Sequence, residues 1–166
     1  KIETLNDLKK KGSLIGIDLQ GFIRTKNKKN KLINSSWKEK KEALSLTHYL
    51  KADGVEAEFL TGESDLISAA KILKSYGPKE VIITHKDGVL VYDGENIYQE
   101  KFILDKIIGR SGRGDTCGAS YVYMRLTLDP SESIKWAAAA TSLKMESDTP
   151  LKRTKLEIEN RVGQYK

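Results

Sequence analysis

The feature that most constrains this chain is a glycine-spaced loop that runs directly into an apolar, helix-forming segment. The loop covers residues 107–114, and small or apolar side chains at helical spacing predict a helix over residues 115–128. Glycine at positions 112 and 114 permits backbone conformations that a Cβ atom forbids, and it lets N–H groups approach a ligand closely. A helix N-terminus combines free N–H groups with the positive end of the helix dipole. Residues 112–115 are therefore predicted to bind phosphate or a developing negative charge.

Asp115 places a carboxylate at the same point of the chain. One interpretation makes it an N-terminal cap, whose oxygen accepts backbone N–H bonds. The other makes it a general base, held beside an anion hole and directed at a hydroxyl group. The local sequence leaves both interpretations open.

Composition predicts one soluble globular domain. The chain has 166 residues and a net charge of +6, which lysine runs largely supply. Because no aromatic residues alternate with these lysines, solvated surfaces are favoured over a nucleic-acid groove, and we expect no nucleic-acid partner. Cys117 is the single cysteine, and no apolar run has the length of a membrane span, so a cytoplasmic protein without a membrane partner is predicted.

Hydrophobic periodicity predicts an α/β fold, with a mainly parallel three-layer sheet, helices on both faces and an antiparallel hairpin. The predicted strands are 14–19, 47–52 and 81–84, and a hairpin joins strands 88–92 and 96–98. Helices are predicted over residues 2–8, 37–46, 64–76 and 156–162, and a further helix is predicted to start at Ser131 and Glu132. The polar segment from Thr25 to Ser36 is predicted to be a mobile loop.

Residues 112–115, followed by small residues at 118–120, resemble the D-T-x-G-A-G-D-x-F-x-x-G signature of the ribokinase-like (PfkB) carbohydrate and nucleoside kinases. Gly109 stands where this family has its first aspartate, Arg113 replaces the alanine, and Cys117 replaces the phenylalanine. The resemblance implies ATP-dependent phosphoryl transfer to a hydroxymethyl group of a sugar, polyol or nucleoside, with Mg²⁺ bridging the phosphates.

In the same resemblance Asp115 is the catalytic base, and Gly112, Arg113 and Gly114 form the anion hole. The glycine at position 109 removes an environment that many members use for a monovalent cation, so potassium activation is not expected.

Two earlier segments also resemble the family. Residues 53–56 are similar to its N-x-x-E segment, in which Glu56 would order Mg²⁺ and its waters; a helix start with an acidic first turn is the structural alternative. Residues 18–24 are similar to D-x-Q-G-F-x-R after a central strand. Asp18 and Gln20 would line a ligand cleft there, or belong to an ordinary loop.

Two further segments carry candidate nucleotide contacts. Residues 81–88 resemble the V-x-x-T-x-G-x-x-G turn near the nucleotide phosphates, which implicates Thr84, Gly88 and, as a phosphate contact, Lys86; a plain solvent-facing turn is the alternative. The alanine-rich segment 137–140 resembles the helix beside the adenine pocket, with Ala139 as the candidate contact. Small side chains equally permit close helix packing.

Residues 1–166 are predicted to be a single domain that matches the C-terminal half of such a kinase. The N-terminal lid and the acceptor-binding part are expected to be absent, so the resemblance does not identify the acceptor. A sheet edge left unpaired by the missing half would favour a homodimer. The alternative function is a non-catalytic nucleotide-binding or structural domain with a decayed kinase site.

Overall fold

The computed structural model describes residues 2–165, and Lys1 and Lys166 at the ends of the predicted domain lie outside the described residues. Helices and strands are interspersed along the chain up to residue 101, and three helices follow. In chain order they are α1 (Ile2–Lys10), β1 (Gly16–Asp18), α2 (Gln20–Ile23), β2 (Arg24–Lys26), β3 (Leu32–Asn34), α3 (Lys40–Ser45), β4 (Tyr49–Asp53), α4 (Gly54–Thr61), α5 (Leu66–Ser75), β5 (Glu80–Thr84), β6 (Gly88–Tyr92), β7 (Ile97–Lys101), α6 (Arg113–Met124), α7 (Pro130–Met145) and α8 (Lys155–Val162).

Five strands form the main sheet, in the order β1-β4-β5-β6-β7, and β2 pairs with β3 in a second, two-stranded sheet. β1 and β4 are parallel, with Asp18 opposite Lys51. β6 and β7 form the predicted antiparallel hairpin, at whose open end the Phe102 N–H donates to the Asp87 carbonyl at 2.9 Å. The predicted α/β fold class is confirmed.

The described chain forms two compact units. One comprises the residues up to Ile83 together with Tyr92–Asn96, and the other comprises Thr84–Val91 and the residues from Ile97 onward. Each unit has its own fully buried apolar side chains. In the first unit these include Leu19, Ile23, Leu44, Leu50, Leu73, Ile82 and Ile83; in the second they include Leu90, Tyr121, Ile134 and Met145. The single-domain prediction for residues 1–166 remains a prediction.

Helix α7 lies at the centre of the second unit, where it packs against α6, α8 and β7. Ala137, Ala138 and Ala139 are completely buried, and Ala140 is 2 % exposed. Side chains this small bring helix backbones close together without leaving voids. The alanine-rich segment therefore has a packing function in this fold.

The segment predicted as a mobile loop contains the hairpin β2–β3 instead. Its turn is held by the Asn27 side chain, which accepts N–H bonds from Lys29 at 2.9 Å and Lys31 at 3.0 Å. Asn30 adopts a φ of 60°, a left-handed conformation that asparagine tolerates better than most residues. The two strands have three residues each, which is too short for alternation to be recognised in the sequence.

Several helix starts differ from the predictions by one or two residues. Asp65, and not Ser64, caps α5 by accepting the Ser68 N–H at 2.8 Å. Asp129 caps α7, and Pro130 occupies the first turn, where its missing N–H is not needed. Aspartate is as good a cap as serine, so the sequence offered two neighbouring solutions at each position.

None of the helices described between residues 2 and 165 is long and apolar enough to cross a membrane. The cytoplasmic location, the homodimer and the absence of a nucleic-acid partner stay predictions.

Candidate active site

The glycine-spaced loop ends at Gly112, which precedes the first residue of α6 and has a φ of 75°. This left-handed conformation is strained for a residue with a Cβ atom and open to glycine. The predicted helix start at this loop is confirmed. The helix begins two residues earlier than predicted, at Arg113, so the anion-hole candidates Gly112, Arg113 and Gly114 all lie at its N-terminus.

Two backbone N–H groups at this terminus are available to a ligand. The Arg113 N–H donates to the Arg110 carbonyl at 3.2 Å, and the Thr116 N–H donates to the Gly112 carbonyl at 2.9 Å. Between them, the N–H groups of Gly114 and Asp115 have no hydrogen-bond partner within residues 2–165. Free N–H groups and the positive end of a helix dipole favour an anion, and the anion-hole role of Gly112, Arg113 and Gly114 stays a prediction.

Asp115 is the third residue of α6, and its side chain is exposed. Because Gly112 holds the N-cap position, the interpretation of Asp115 as the N-cap residue is wrong. Its carboxylate is instead a solvent-accessible group beside the two free N–H groups. This placement suits the general-base interpretation, which stays a prediction.

A pocket of about 350 Å³ lies beside this helix start. Its lining residues are Ser111, Gly112, Asp115, Thr116, Lys144, Asp148, Thr149, Pro150 and Leu151. Sequence reasoning missed Lys144 and the 148–151 segment, because Lys144 lies in the last turn of α7 and the segment follows that helix, and only the fold brings them to the loop.

Gly109 packs tightly against the residues after α7. A Cβ atom at this position would lie 2.8 Å from the Ser147 carbonyl oxygen and 2.9 Å from the Asp148 Cα atom. The N–H groups of Ile108 and Gly109 both donate to the Met145 carbonyl, at 2.8 and 3.2 Å. The close backbone contact explains why glycine, and not an aspartate, occupies position 109 in this chain.

The turn from Thr84 to Gly88 lies in the same unit as α6. Thr84 is fully buried at the end of β5, and Lys86 is exposed and forms an ion pair with Asp87 at 3.8 Å. Burial lowers the pKa of His85. The negative charge of Asp87 raises this pKa, and the positive charge of Arg113 lowers it. The turn is therefore close enough to the start of α6 for Arg113 and His85 to interact.

Gly88 has a structural reason to be glycine. A Cβ atom there would lie 2.2 Å from the Glu100 carbonyl oxygen on the neighbouring strand β7. The close approach of the two strands is enough to explain a glycine at position 88, and no contact with a ligand is needed for that explanation. Nucleotide binding by Thr84, Lys86 or Gly88 stays a prediction.

The predicted adenine contact, Ala139, is completely buried. Its neighbour Ala140 reaches the wall of a second pocket, of about 480 Å³, which Trp136 also lines. The remaining lining residues are Ser120, Tyr123, Met124, Leu126, Thr127, Lys155 and Ile158. The residue with access to a pocket is thus Ala140, and not Ala139.

In the first unit, strands β1 and β4 carry an ion pair between neighbouring residues. Lys51 is 8 % exposed, and its Nζ lies 3.0 Å from Oδ2 of Asp18. The other oxygen of Asp18 accepts the Gln20 N–H at 3.0 Å. With its amide oxygen turned toward Arg24, Gln20 accepts from that guanidinium at 2.7 Å. Asp18 thus has a partner on β4, and Gln20, the first residue of α2, has one on β2. A role of Asp18 and Gln20 in a ligand cleft stays a prediction.

Glu56 is the third residue of helix α4 and is 2 % exposed. Its Oε2 accepts the Asp53 N–H at 2.8 Å, and Asp53 Oδ1 accepts the Glu56 N–H at 2.8 Å. The predicted structural alternative, a helix start with an acidic first turn, is confirmed. Its Oε1 has no hydrogen-bond partner, and the nearest cation is the Arg24 guanidinium at 3.8 Å. Burial raises the pKa of this carboxyl group.

The free Oε1 makes Glu56 compatible with the predicted Mg²⁺ role. Mg²⁺ keeps several waters and takes one or two carboxylates together with substrate phosphates. In residues 2–165 no group of three or more His, Cys, Asp or Glu side chains could hold a metal without such help. His48 has a structural role that needs no metal, because its Nδ1 accepts the Ile15 N–H at 3.0 Å.

The structure thus combines an α/β sheet with a glycine-initiated helix whose first turn has free N–H groups and an accessible carboxylate. A model of the pfkB family carbohydrate kinases matches residues 20–151. The chain therefore belongs to the pfkB family, as its resemblance to the ribokinase-like kinases implied.

Solved structures of two kinds are similar to this chain. A pyrophosphate-dependent myo-inositol-1 kinase, converted by mutation into a myo-inositol-3 kinase, is 35% identical with a TM-score of 0.89, over 99% of this chain and 59% of that chain. A pyrophosphate-dependent kinase in the ribokinase family, complexed with a pyrophosphate analog and myo-inositol, is also 35% identical, with a TM-score of 0.88, over 96% of this chain and 58% of that chain.

Arabidopsis thaliana ribokinase, complexed with ribose and ATP, shares 20% identity and a TM-score of 0.78 over 97% of this chain and 51% of that chain, and this likeness shows the fold alone. The chain spans less than two thirds of the length of each of these relatives. No curated protein sequence matches the chain.

Proposed function

We propose that the protein is a kinase that transfers a phosphoryl group to a hydroxyl group of a polyol or sugar, with Asp115 as the base. The observation that carries this proposal is the accessible Asp115 carboxylate at the third position of α6, beside the free N–H groups of Gly114 and Asp115 itself. Membership of the pfkB family supports the reaction class.

In the proposed reaction Asp115 takes the proton of the acceptor hydroxyl as that oxygen attacks the phosphorus atom. A bond forms between the acceptor oxygen and phosphorus, and the bond from phosphorus to the bridging oxygen of the donor breaks, with its electron pair remaining on the released phosphate. Phosphoryl transfer is catalysed mostly by positioning and by stabilising charge. The two free N–H groups and the positive end of the α6 dipole supply that stabilisation here.

Glu56 is the residue proposed to order Mg²⁺ and its waters. When bound, the ion neutralises charge on the donor phosphates. Glu56 contributes a buried carboxylate oxygen that accepts no hydrogen bond from residues 2–165 and lies 3.8 Å from the Arg24 guanidinium, and its second oxygen fixes the helix start that positions it. The raised pKa of Glu56 follows from burial of the charge, and a nearby cation would stabilise the ionised form.

Pyrophosphate is the donor that the relatives favour. The two kinases at 35% identity are described as pyrophosphate-dependent, whereas the ribokinase complexed with ATP shares only the fold. Within this chain, Ala139 is completely buried, which gives no support to the predicted adenine contact. ATP remains the second candidate donor. A cyclic polyol such as myo-inositol is the proposed acceptor, by analogy with the same relatives.

The test is turnover by the complete gene product with pyrophosphate or ATP and a panel of polyols, sugars and nucleosides. Asp115→Asn is expected to lower kcat by about a hundredfold or more, because it removes the base while keeping the side-chain shape. Asp129→Asn is the matched control, since Asp129 also starts a helix of the same unit and asparagine caps as well as aspartate. Equal activity of wild type and Asp115→Asn would refute the proposal. No turnover with any pair of substrates would favour a decayed, non-catalytic site.

A further inference from the structure

Lys144 lies in the last turn of α7, and only 3 % of it is exposed. It lines the pocket of about 350 Å³ together with Gly112 and Asp115. Lysine is rarely buried to this degree unless a partner compensates its charge. The position of this ammonium group beside the start of α6 therefore needs an explanation.

The ammonium group is incompletely compensated by the protein. Its Nζ donates to the Ser147 carbonyl at 3.1 Å, which uses one of its three N–H donors. No carboxylate of residues 2–165 forms a salt bridge with Lys144. The negative end of the α7 dipole gives partial compensation. Two donors of a nearly buried cation are left for a group that enters the pocket.

The side chain reaches the anion-binding helix start. A Cβ atom built on Gly112 would lie 3.6 Å from Cε of Lys144, so the end of the lysine side chain lies next to the left-handed residue that opens α6. The free N–H groups of Gly114 and Asp115 belong to the following turn. The pocket is thus bordered by a cation and by Asp115, whose free N–H group lies at the positive end of the α6 dipole, and these groups favour an anion. The carboxylates of Asp115 and Asp148 line the same pocket and oppose them, so the charge of Lys144 matters for an anion to bind there.

We infer that Lys144 is a donor-binding residue, which holds a phosphate oxygen of the donor next to the N–H groups at the start of α6. This inference rests on the proposed kinase function. Inorganic pyrophosphate has no nucleoside through which to bind, so its affinity depends on charged contacts of this kind. Charge-assisted hydrogen bonds are about twice as strong as neutral ones, which makes a buried lysine an effective phosphate ligand.

The decisive experiment compares Lys144→Met and Lys144→Arg with wild type. Methionine keeps the length and apolar contacts of the side chain without the charge. Lys135→Met is the matched control, because Lys135 lies on the same helix but pairs with Glu132 at 2.9 Å. Two quantities are measured: kcat and KM of the complete gene product for pyrophosphate and for the acceptor, and the increase in Tm caused by pyrophosphate.

Lys144→Met is expected to raise the KM for pyrophosphate by about tenfold or more, with the acceptor KM unchanged. It should also abolish the pyrophosphate-induced increase in Tm, while Lys144→Arg retains part of both effects and Lys135→Met retains all of them. An unchanged pyrophosphate KM and Tm shift in Lys144→Met would overturn the inference. So would a fall in the Tm of the donor-free protein with both KM values altered, because Lys144 would then only stabilise the end of α7.

The two readouts separate this inference from the proposed function. If wild type shows no turnover but pyrophosphate still raises its Tm, and Lys144→Met loses that shift, the kinase proposal fails and the role of Lys144 in binding stands. If pyrophosphate does not shift the Tm of wild type, the inference about Lys144 fails whatever the enzyme activity.

Discussion

Asp53 and Glu56 exchange two hydrogen bonds of 2.8 Å, each side chain accepting the backbone N–H of the other residue. This reciprocal pair fixes the start of α4 and engages only one of the two carboxylate oxygens of Glu56. The other oxygen, Oε1, is buried without a hydrogen bond. A structural role and a role toward a cation are therefore compatible in one side chain, because they use different atoms.

Glu56→Gln separates these two roles. The amide oxygen of glutamine can still accept the Asp53 N–H, so the contribution of the cap to stability should be kept. The Mg²⁺-dependent activity should fall by about tenfold or more, because the residue that orders the ion and its waters loses its charge. Glu56→Ala should in addition lose about 1 kcal/mol of unfolding free energy with the cap. A Mg²⁺ titration of kcat and urea denaturation measure the two effects.

Glu157→Gln is the control for that comparison, since Glu157 forms the same reciprocal cap with Thr154 but on exposed helix α8. It should leave the Mg²⁺ dependence unchanged. An unaltered Mg²⁺ dependence in Glu56→Gln would rule out the metal role of Glu56.

The buried carboxyl group of Glu56 should also make stability depend on pH. Burial raises its pKa in the folded state above the ordinary value of 4.5. The folded state then holds the proton more tightly than the unfolded state, so this contribution to stability is complete below 4.5 and is lost as pH rises through the folded pKa. The unfolding free energy of wild type should therefore fall relative to that of Glu56→Gln as pH rises above that value.

Urea denaturation of both proteins across this pH range, without Mg²⁺, checks the difference. A constant difference between the two proteins would show that Glu56 does not titrate differently in the two states. Added Mg²⁺ should reduce the slope if the ion binds near the ionised carboxylate.

Gly109→Ala should destabilise the second unit by about 1 to 3 kcal/mol, because the new Cβ atom would overlap the backbone of Ser147 and Asp148. Gly21→Ala is the control: a Cβ atom at position 21 would have no neighbouring atom within 4 Å, and Gly21 is in a helix, where alanine is favoured. Thermal denaturation of both variants measures the effect. A Gly109→Ala protein as stable as wild type would show that the loop can move away from the end of α7.

Gly88→Ala tests whether this glycine serves the sheet or the donor. Since its Cβ atom would lie 2.2 Å from the Glu100 carbonyl oxygen, we expect the Tm to fall before any donor is added. Gly16→Ala is a suitable control, as Gly16 is also in a strand but the atoms nearest to its Cβ position are 3.9 and 4.0 Å away. An unchanged Tm with a raised KM for the donor would instead assign Gly88 to phosphate binding.

Local chemistry made much of this fold predictable. Short apolar runs indicated β5 and the β6–β7 hairpin, and helical spacing indicated α5, because these patterns are visible in consecutive residues. The glycine-spaced loop predicted the start of α6, since only glycine adopts the conformation of Gly112 without strain. Cap positions were less certain, as at Asp65, where neighbouring Ser64 offered the same hydrogen bond.

What the sequence determined by itself is therefore the α/β pattern, the helix start at Gly112 and the carboxylate of Asp115 on that helix. The tertiary structure decided which distant groups lie beside them. Lys144 reaches Gly112 only because α7 packs against α6, and Gly88 and Gly109 are glycines because other segments approach their backbones. Such contacts depend on long-range packing, which leaves no periodic signal in the chain.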